Sequence, residues 1–179
     1  MKFKARNNFC RQSGMTLMEV IASLAVMAVV VTGALALYGS ASSSQQSTAM
    51  TQDLSSIRAA LKTLWAGQGT YGAPGTNLNA VLKSAGRIPT TMSSSAATPP
   101  VITHALNGTL VAAAAATAGQ FTITLSNIPT DVCTSIVTST SNWLGLSVEG
   151  AVVTLPATPA DAAVKCSTVN ANTMIYTGN

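Results

Sequence analysis

Charge is what this 179-residue chain has least of: only 8% of its residues are Asp, Glu, Lys or Arg. It has one histidine, His104, and no Gly-x-Ser-x-Gly surrounds any serine, so a Ser–His pair has no motif behind it. Asp131, Glu149 and Asp161 are too widely spaced to form a metal loop. The segment Gly67-Gln-Gly-Thr-Tyr-Gly72 fits a bare Gly-x-Gly-x-x-Gly pattern. It follows a helical pattern rather than a strand, which is the wrong context for a dinucleotide site. It reads as a flexible exit from a helix. There is no phosphate loop. The residues therefore offer no catalytic constellation, and no enzyme activity, cofactor or metal is expected.

The formal charge of +4 is also unevenly placed. Lys2, Lys4, Arg6 and Arg11 crowd the first eleven residues. Beyond them, five basic residues (Arg58, Lys62, Lys83, Arg87, Lys165) cancel five acidic ones (Glu19, Asp53, Asp131, Glu149, Asp161). A nucleic-acid partner would need a retained basic face, and none is expected.

What the chain does have is a long apolar run. Val20 to Leu37 is eighteen residues diluted only by Ser23, Thr32 and Gly33, long enough to be a transmembrane candidate. Gly14-Met15-Thr16-Leu17-Met18-Glu19 stands between the basic leader and this run. An ionisable group beside a span is costly and marks a candidate functional site. If the chain is cut between Gly14 and Met15, Met15 carries a free ammonium one helical turn from Glu19. A secretory signal would have a shorter apolar core with its cleavage site after it. Here the order is reversed.

A short basic leader, Gly14 at the cut, Met15 as first residue, then Thr16-Leu17-Met18-Glu19 and an apolar helix resemble the processing signature of type IV pilins, shared by type II secretion pseudopilins. The resemblance is specific over residues 14–37. It implies that an inner-membrane prepilin peptidase removes residues 1–14 and that the new N-terminus, Met15, is methylated. It implies further that Glu19 pairs with the terminal amine of a neighbouring subunit during assembly. The leader charges fit the positive-inside rule, which would hold the N-terminus in the cytoplasm. The low charge suits a subunit largely covered by copies of itself. A leader of fourteen residues falls between the type IVa and type IVb classes, but Met15, Thr16 and a large sheet domain with a wide disulfide loop are most similar to type IVb pilins of enteric bacteria and of conjugative-plasmid thin pili.

The expected fold is therefore α+β: one very long N-terminal helix, residues 15–66, packed on a mainly antiparallel sheet in a head of residues 67–179. Residues 15–39 would lie in the inner membrane before assembly and in the fibre core afterwards. The expected function is a structural subunit, the major pilin, polymerising with itself on an inner-membrane assembly platform into a surface fibre. That fibre would serve adhesion, aggregation or conjugative mating. A minor pilin, a pseudopilin and, more remotely, a membrane-tethered periplasmic enzyme are the rivals.

Cysteine usage points the same way. Cys10 falls in the leader, leaving Cys133 and Cys166 with 32 residues between them, on the side of the span that topology places outside the cytoplasm. A disulfide is the economical reading.

Met50, Leu54, Ile57, Leu61 and Leu64 recur at spacings of 4, 3, 4 and 3, one face of an amphipathic helix. With the apolar run it would make a helix roughly 78 Å long, softened at Gly33, Gly39 and Ser40–Ser47. Further along, Asn77 is expected to cap a short helix over Leu78–Ala85, with a loop over 87–100. Residues 101–106 and 109–113 read as a hairpin on Asn107-Gly108. Phe121–Leu125 alternates as a strand. Thr130 is expected to cap a helix, with Trp143, Leu144 and Leu146 returning to the core. Residues 151–155 and 173–177 complete the strands, with a Pro156–Pro159 loop between them.

Overall fold

The computed structural model describes residues 16–168 and 171–179. In chain order the elements are α1 (Leu17–Leu64), α2 (Asn79–Ser84), β1 (Ser93–Ser94), β2 (Ile102–Thr103), β3 (Thr109–Ala114), β4 (Phe121–Ile128), α3 (Thr130–Ser139), β5 (Gly145–Val148), β6 (Ala151–Val153), α4 (Pro159–Lys165) and β7 (Asn172–Gly178). The chain divides into two compact units, residues 1–40 and 41–179.

The described part of the first unit is helix, and every described side chain in it is exposed. The weak spots expected at Gly33, Gly39 and Ser40–Ser47 do not melt the helix, because α1 is helical throughout. Part of the reason lies in how the hydroxyls bond. Ser47 and Thr48 both donate to the Ser44 carbonyl, and Thr51 donates to that of Ser47. These groups bond to carbonyls three or four residues back and leave the helical ladder in place.

In the second unit, α1 buries Met50, Leu54, Ile57, Ala60 and Leu61, while Leu64 packs partly buried at the margin of the same core. The sheet order is β1-β2-β3-β4-β7-β5-β6, and every pairing is antiparallel. The last strand is thus central. β7 buries Met174 and Tyr176, and β4 buries Phe121, Ile123, Leu125 and Ile128, the period-2 pattern of one covered sheet face. Aromatic residues are only 4% of the chain, yet five of them form one connected group. Trp65 meets Tyr71 at 5.7 Å, Tyr71 meets Phe121 at 5.0 Å, Phe121 meets Trp143 at 6.2 Å and Trp143 meets Tyr176 at 5.0 Å. Two of these contacts are edge-on and two are tilted, and aromatic pairs of this kind contribute about 0.5–1.5 kcal/mol each beyond their burial. Gly178 closes against this group. A Cβ there would lie 2.7 Å from Phe121 Cζ.

Several local features differ from the sequence reading. The Pro156–Pro159 stretch is not wholly loop. It leads into α4, opened by a capping box in which Thr158 Oγ1 accepts from Asp161 N and the Asp161 carboxylate accepts from Thr158 N. Thr130 does not cap α3. Pro129 holds that position, and the Thr130 hydroxyl donates to Thr168 O. β5 adds a strand where only a return to the core was expected. The 87–100 loop carries the two-residue edge strand β1. Asn77 serves α2 one residue later than expected, its Oδ1 accepting from Asn79 N at 2.9 Å. The Ala112–Ala114 segment is helix-prone by composition, yet it is the end of β3. Buried Asn79 helps hold it there, accepting from Ala112 N and donating to Leu110 O.

The 104–108 turn is the clearest case of tertiary demand. Asn107 has φ 59°, as a tight turn requires, but Gly108 does not share the positive φ. Gly108 is needed for close approach: a Cβ would stand 1.9 Å from Ser126 O and 2.5 Å from His104 Nε2. β4 bulges there between Leu125 and Ile128, and the turn docks on the bulge. Buried His104 joins Nε2 to Ser126 O at 2.9 Å, while Nδ1 accepts from Leu106 N at 3.3 Å. Both ring nitrogens are engaged only if the imidazole is neutral. Burial pushes its pKa below the ordinary value, against the Ser126 carbonyl and Asp53, which favour the charged form. The unfolded chain therefore takes up this proton first as pH falls. The stabilisation is complete above about pH 6.5 and is lost on acidification below it. His104 is the only histidine, so the urea midpoint should drop between pH 7 and pH 5, and His104→Gln should flatten that drop. An unchanged slope in the variant would refute this assignment.

Candidate assembly surface

Two sets of residues are candidates for function: the apolar N-terminal helix with its acid, and the cysteine pair. Glu19 lies in the first turn of α1. Thr16 starts that turn, its carbonyl accepting from Glu19 N at 3.0 Å and from Val20 N at 3.2 Å. A carboxylate is favoured at this end of a helix, where backbone N–H groups carry partial positive charge. The polar side chains further along satisfy themselves. Ser23 donates to Val20 O at 2.9 Å, and Thr32 donates to Ala28 O and Val29 O. The Glu19 carboxylate makes no hydrogen bond or ion pair with any described residue. Gly14 and Met15, the expected cleavage positions, lie outside the described residues.

Beyond Glu19 the surface of α1 is mostly apolar. Leu17 is 80% exposed, Val29 72% and Leu37 75%. α1 is long and apolar enough to cross a membrane, and none of its apolar window is buried. A helix hydrophobic all round needs lipid or other helices against it. Contiguous apolar surface of this extent on a soluble molecule marks an interaction site. Tyr38, 75% exposed near the end of the run, has the amphipathic ring suited to a lipid–water boundary.

The structure joins Cys133 and Cys166 in a disulfide, with Cα atoms 5.9 Å apart. Cys133 is on α3, and Cys166 caps α4, its N–H reaching Ala162 O at 2.8 Å. The bridge ties the two helices together, with both sulfur-bearing residues buried. A second brace had no signal in the sequence. Buried Asn172, at the start of β7, donates to Ile128 O at 3.0 Å and to Thr168 O, and accepts from Thr168 N. It fixes the segment between Cys166 and β7 to the end of β4. No group of three or more His, Cys, Asp or Glu able to hold a metal occurs among the described residues.

Two family models match the chain. The one described as PilS N terminal covers residues 44–179, and the prokaryotic N-terminal methylation motif covers residues 10–35, which include Gly14, Met15 and Glu19. Among solved structures, the type IVb pilin of Salmonella typhi is 23% identical with a TM-score of 0.56, covering 72% of this chain and 99% of that one. TcpA, a type IV pilin from the El Tor biotype of Vibrio cholerae, is 15% identical with a TM-score of 0.50, covering 75% and 99%. At these identities the likeness is one of fold. No curated protein matches the sequence.

Removing the bridge by Cys133→Ala with Cys166→Ala should lower the stability of the head by about 3–4 kcal/mol on the chain-entropy account of a loop this long. Urea denaturation followed by Trp fluorescence measures it, since Trp65 and Trp143 both report on the core. A change below about 1 kcal/mol would mean that the Asn172 brace holds the loop unaided.

Proposed function

This chain belongs to the PilS family and is a type IV pilin structural subunit, and from that premise we propose that it is the major subunit of a type IVb pilus. Prepilin peptidase cuts between Gly14 and Met15, and the new N-terminus is methylated. The subunit waits in the inner membrane with its apolar helix in lipid, then passes through the assembly platform into a fibre on the cell surface. The fibre serves attachment, to surfaces, to like cells or to a mating partner.

The observation that carries this reading is Glu19, without a partner among the described residues, on a helix that the described residues leave bare. Moving the apolar residues from lipid to a bundle of like helices changes their hydrophobic environment little. The acid is different. A carboxylate taken from water into an apolar interior is expensive unless a counter-charge meets it. A cationic chain end on another copy supplies that charge. Because the amine and the acid belong to different copies, their pairing fixes the axial stagger between neighbours. Contact between two different patches of one surface repeats without closing, and so builds a filament. The presence of the acid favours the major subunit over a minor one.

Two substitutions in the full-length chain, expressed with its assembly machinery, test separate steps. Glu19→Ala should leave the precursor cleaved, folded and in the membrane, while sheared fibre falls by at least ~100-fold, in line with the 3–5 kcal/mol cost of orphaning one member of a buried pair. Gly14→Leu should leave the leader attached, seen by mass as a precursor heavier by fourteen residues. Normal fibre from the first variant, or normal cleavage of the second, would overturn the corresponding step.

A further inference from the structure

The head carries a half-buried cation, Arg58, with no ion-pair partner among the described residues. Arg58, on α1, lays its guanidinium over the indole of Trp143, Cζ 4.8 Å from the ring centroid. Its Nε is shut off from solvent without a hydrogen-bond partner, and no described carboxylate pairs with it. Arg58 lines a pocket of about 150 Å³ with Ser139, Thr140, Ser141, Asn142 and Trp143, at the C-terminal end of α3. No acidic residue lines that pocket. The partial negative charge at a helix C-terminus favours a cation. Here, however, the last carbonyls of α3 are served by their own helix. Ser139 and Thr140 hydroxyls donate to Ile136 O, and Thr140 N donates to Val137 O. Arg58 is not recruited as a cap. Asn142, held at φ 62°, turns its Nδ2 toward Ser141 Oγ at 3.4 Å, which leaves the Ser141 proton free for an acceptor in the pocket.

We propose that this pocket receives the Asp131 carboxylate of a second copy of this chain. The proposal rests on the polymer reading above. The pocket is smaller than the roughly 300–1,000 Å³ of small-molecule sites, and fits a carboxylate-tipped side chain better than a free organic ligand. The described acids leave few candidates. Asp53 accepts from Thr91 Oγ1 at 2.7 Å, Glu149 accepts from Thr173 N, and Asp161 belongs to its capping box. Glu19 sits on the apolar helix. Asp131 alone remains on the head, exposed in the first turn of α3 with no bond to a described residue. Asp131 and the pocket sit at opposite ends of a ten-residue helix, about 12–15 Å apart at the helical rise. One copy therefore cannot satisfy itself, whereas two copies can. An arginine held against an aromatic ring at the lining of a pocket is preorganised for such a carboxylate.

Asp131 is exposed, so Asp131→Arg should fold normally. It should lower sheared fibre roughly tenfold, and adding Arg58→Asp should restore it. Because Arg58→Asp could fail in the core, a second measurement avoids the reversal. Arg58→Lys keeps the charge and supplies an amine that a carbodiimide can join to a touching carboxylate. In fibres of that variant, mass spectrometry should find a peptide joining position 58 of one copy to Asp131 of another. The covalent ladder should disappear on adding Asp131→Asn. A link from position 58 to any other acid, no link at all, or full fibre yield from Asp131→Arg would overturn the proposal. If fibres of the unaltered chain form and depend on Glu19 while this link is absent, only the head contact falls. If the unaltered chain makes no fibre, the polymer reading falls with it.

Discussion

The constraint on which the molecule depends is a stretch of helix that presents apolar side chains in every direction. From Thr16 to Ala41 each described side chain is exposed. One face of a sheet can cover one stripe of a helix, but it cannot cover the full circumference. In the passage from lipid to fibre proposed above, such a segment exchanges one apolar surround for another, and the hydrophobic term nearly cancels. Small polar effects then decide the outcome. Ser23 and Thr32 are neutral in the exchange because their hydroxyls bond the helix itself. On the assembly proposed above Glu19 is not neutral, and one carboxylate then carries more weight than the many apolar residues around it.

The head answers the opposite requirement, to be complete within one chain. Its last strand lies between β4 and β5, so the sheet is not continuous until the end of the chain is in place. Pairings between residues distant in sequence fold slowly and leave edges open meanwhile. Two local devices restrict the search. The Cys133–Cys166 bridge and the Asn172 hydrogen bonds both hold the segment that leads into β7 against the end of β4. The five-membered aromatic group then spans α1's end, β4, the turn at Trp143 and β7. The few aromatic residues this chain has are placed where the elements have to be joined.

How much of this could be read from residues alone follows from the range of each signal. The apolar run, the Gly14–Glu19 signature and the 4-3-4-3 stripe are local and strong, and α1 appears where they put it. β4 was legible because Phe121, Ile123 and Leu125 alternate with threonines. Legibility failed where a residue's role is set from a distance. Asn107-Gly108 was correctly a turn, but Gly108 is required by Ser126, eighteen positions away, and not by its own φ. α4 escaped because Pro156 and Pro159 read as breakers, although Pro at the first helical position and Thr158 three residues before Asp161 form a start signal. Thr130 looked like a cap and instead bonds Thr168. The candidate site divided in the same way. Glu19 stood out beside an apolar run, whereas Arg58 lay in an ordinary amphipathic helix and gained meaning only from Trp143, eighty-five positions on.

Scarcity of charge gives a last step. After the leader, five basic and five acidic residues cancel, so a long-range field neither steers copies together nor holds them apart. What remains are individual charges, and the fold assigns most of the acids a local duty: Asp53 on Thr91, Glu149 on Thr173 N, Asp161 in its capping box. A charge left without a local partner is then conspicuous. Solvent satisfies it cheaply on a free subunit, but any packing that excludes water must match it or forfeit the desolvation. In a chain with many surface charges, mismatched packings could find compensation by chance. Here there are few opportunities, so in the proposed filament a wrong register would bury an unmatched Glu19 with nothing nearby to relieve it. Low charge thus narrows the set of tolerable neighbours, and the geometry of a filament can follow from very few residues.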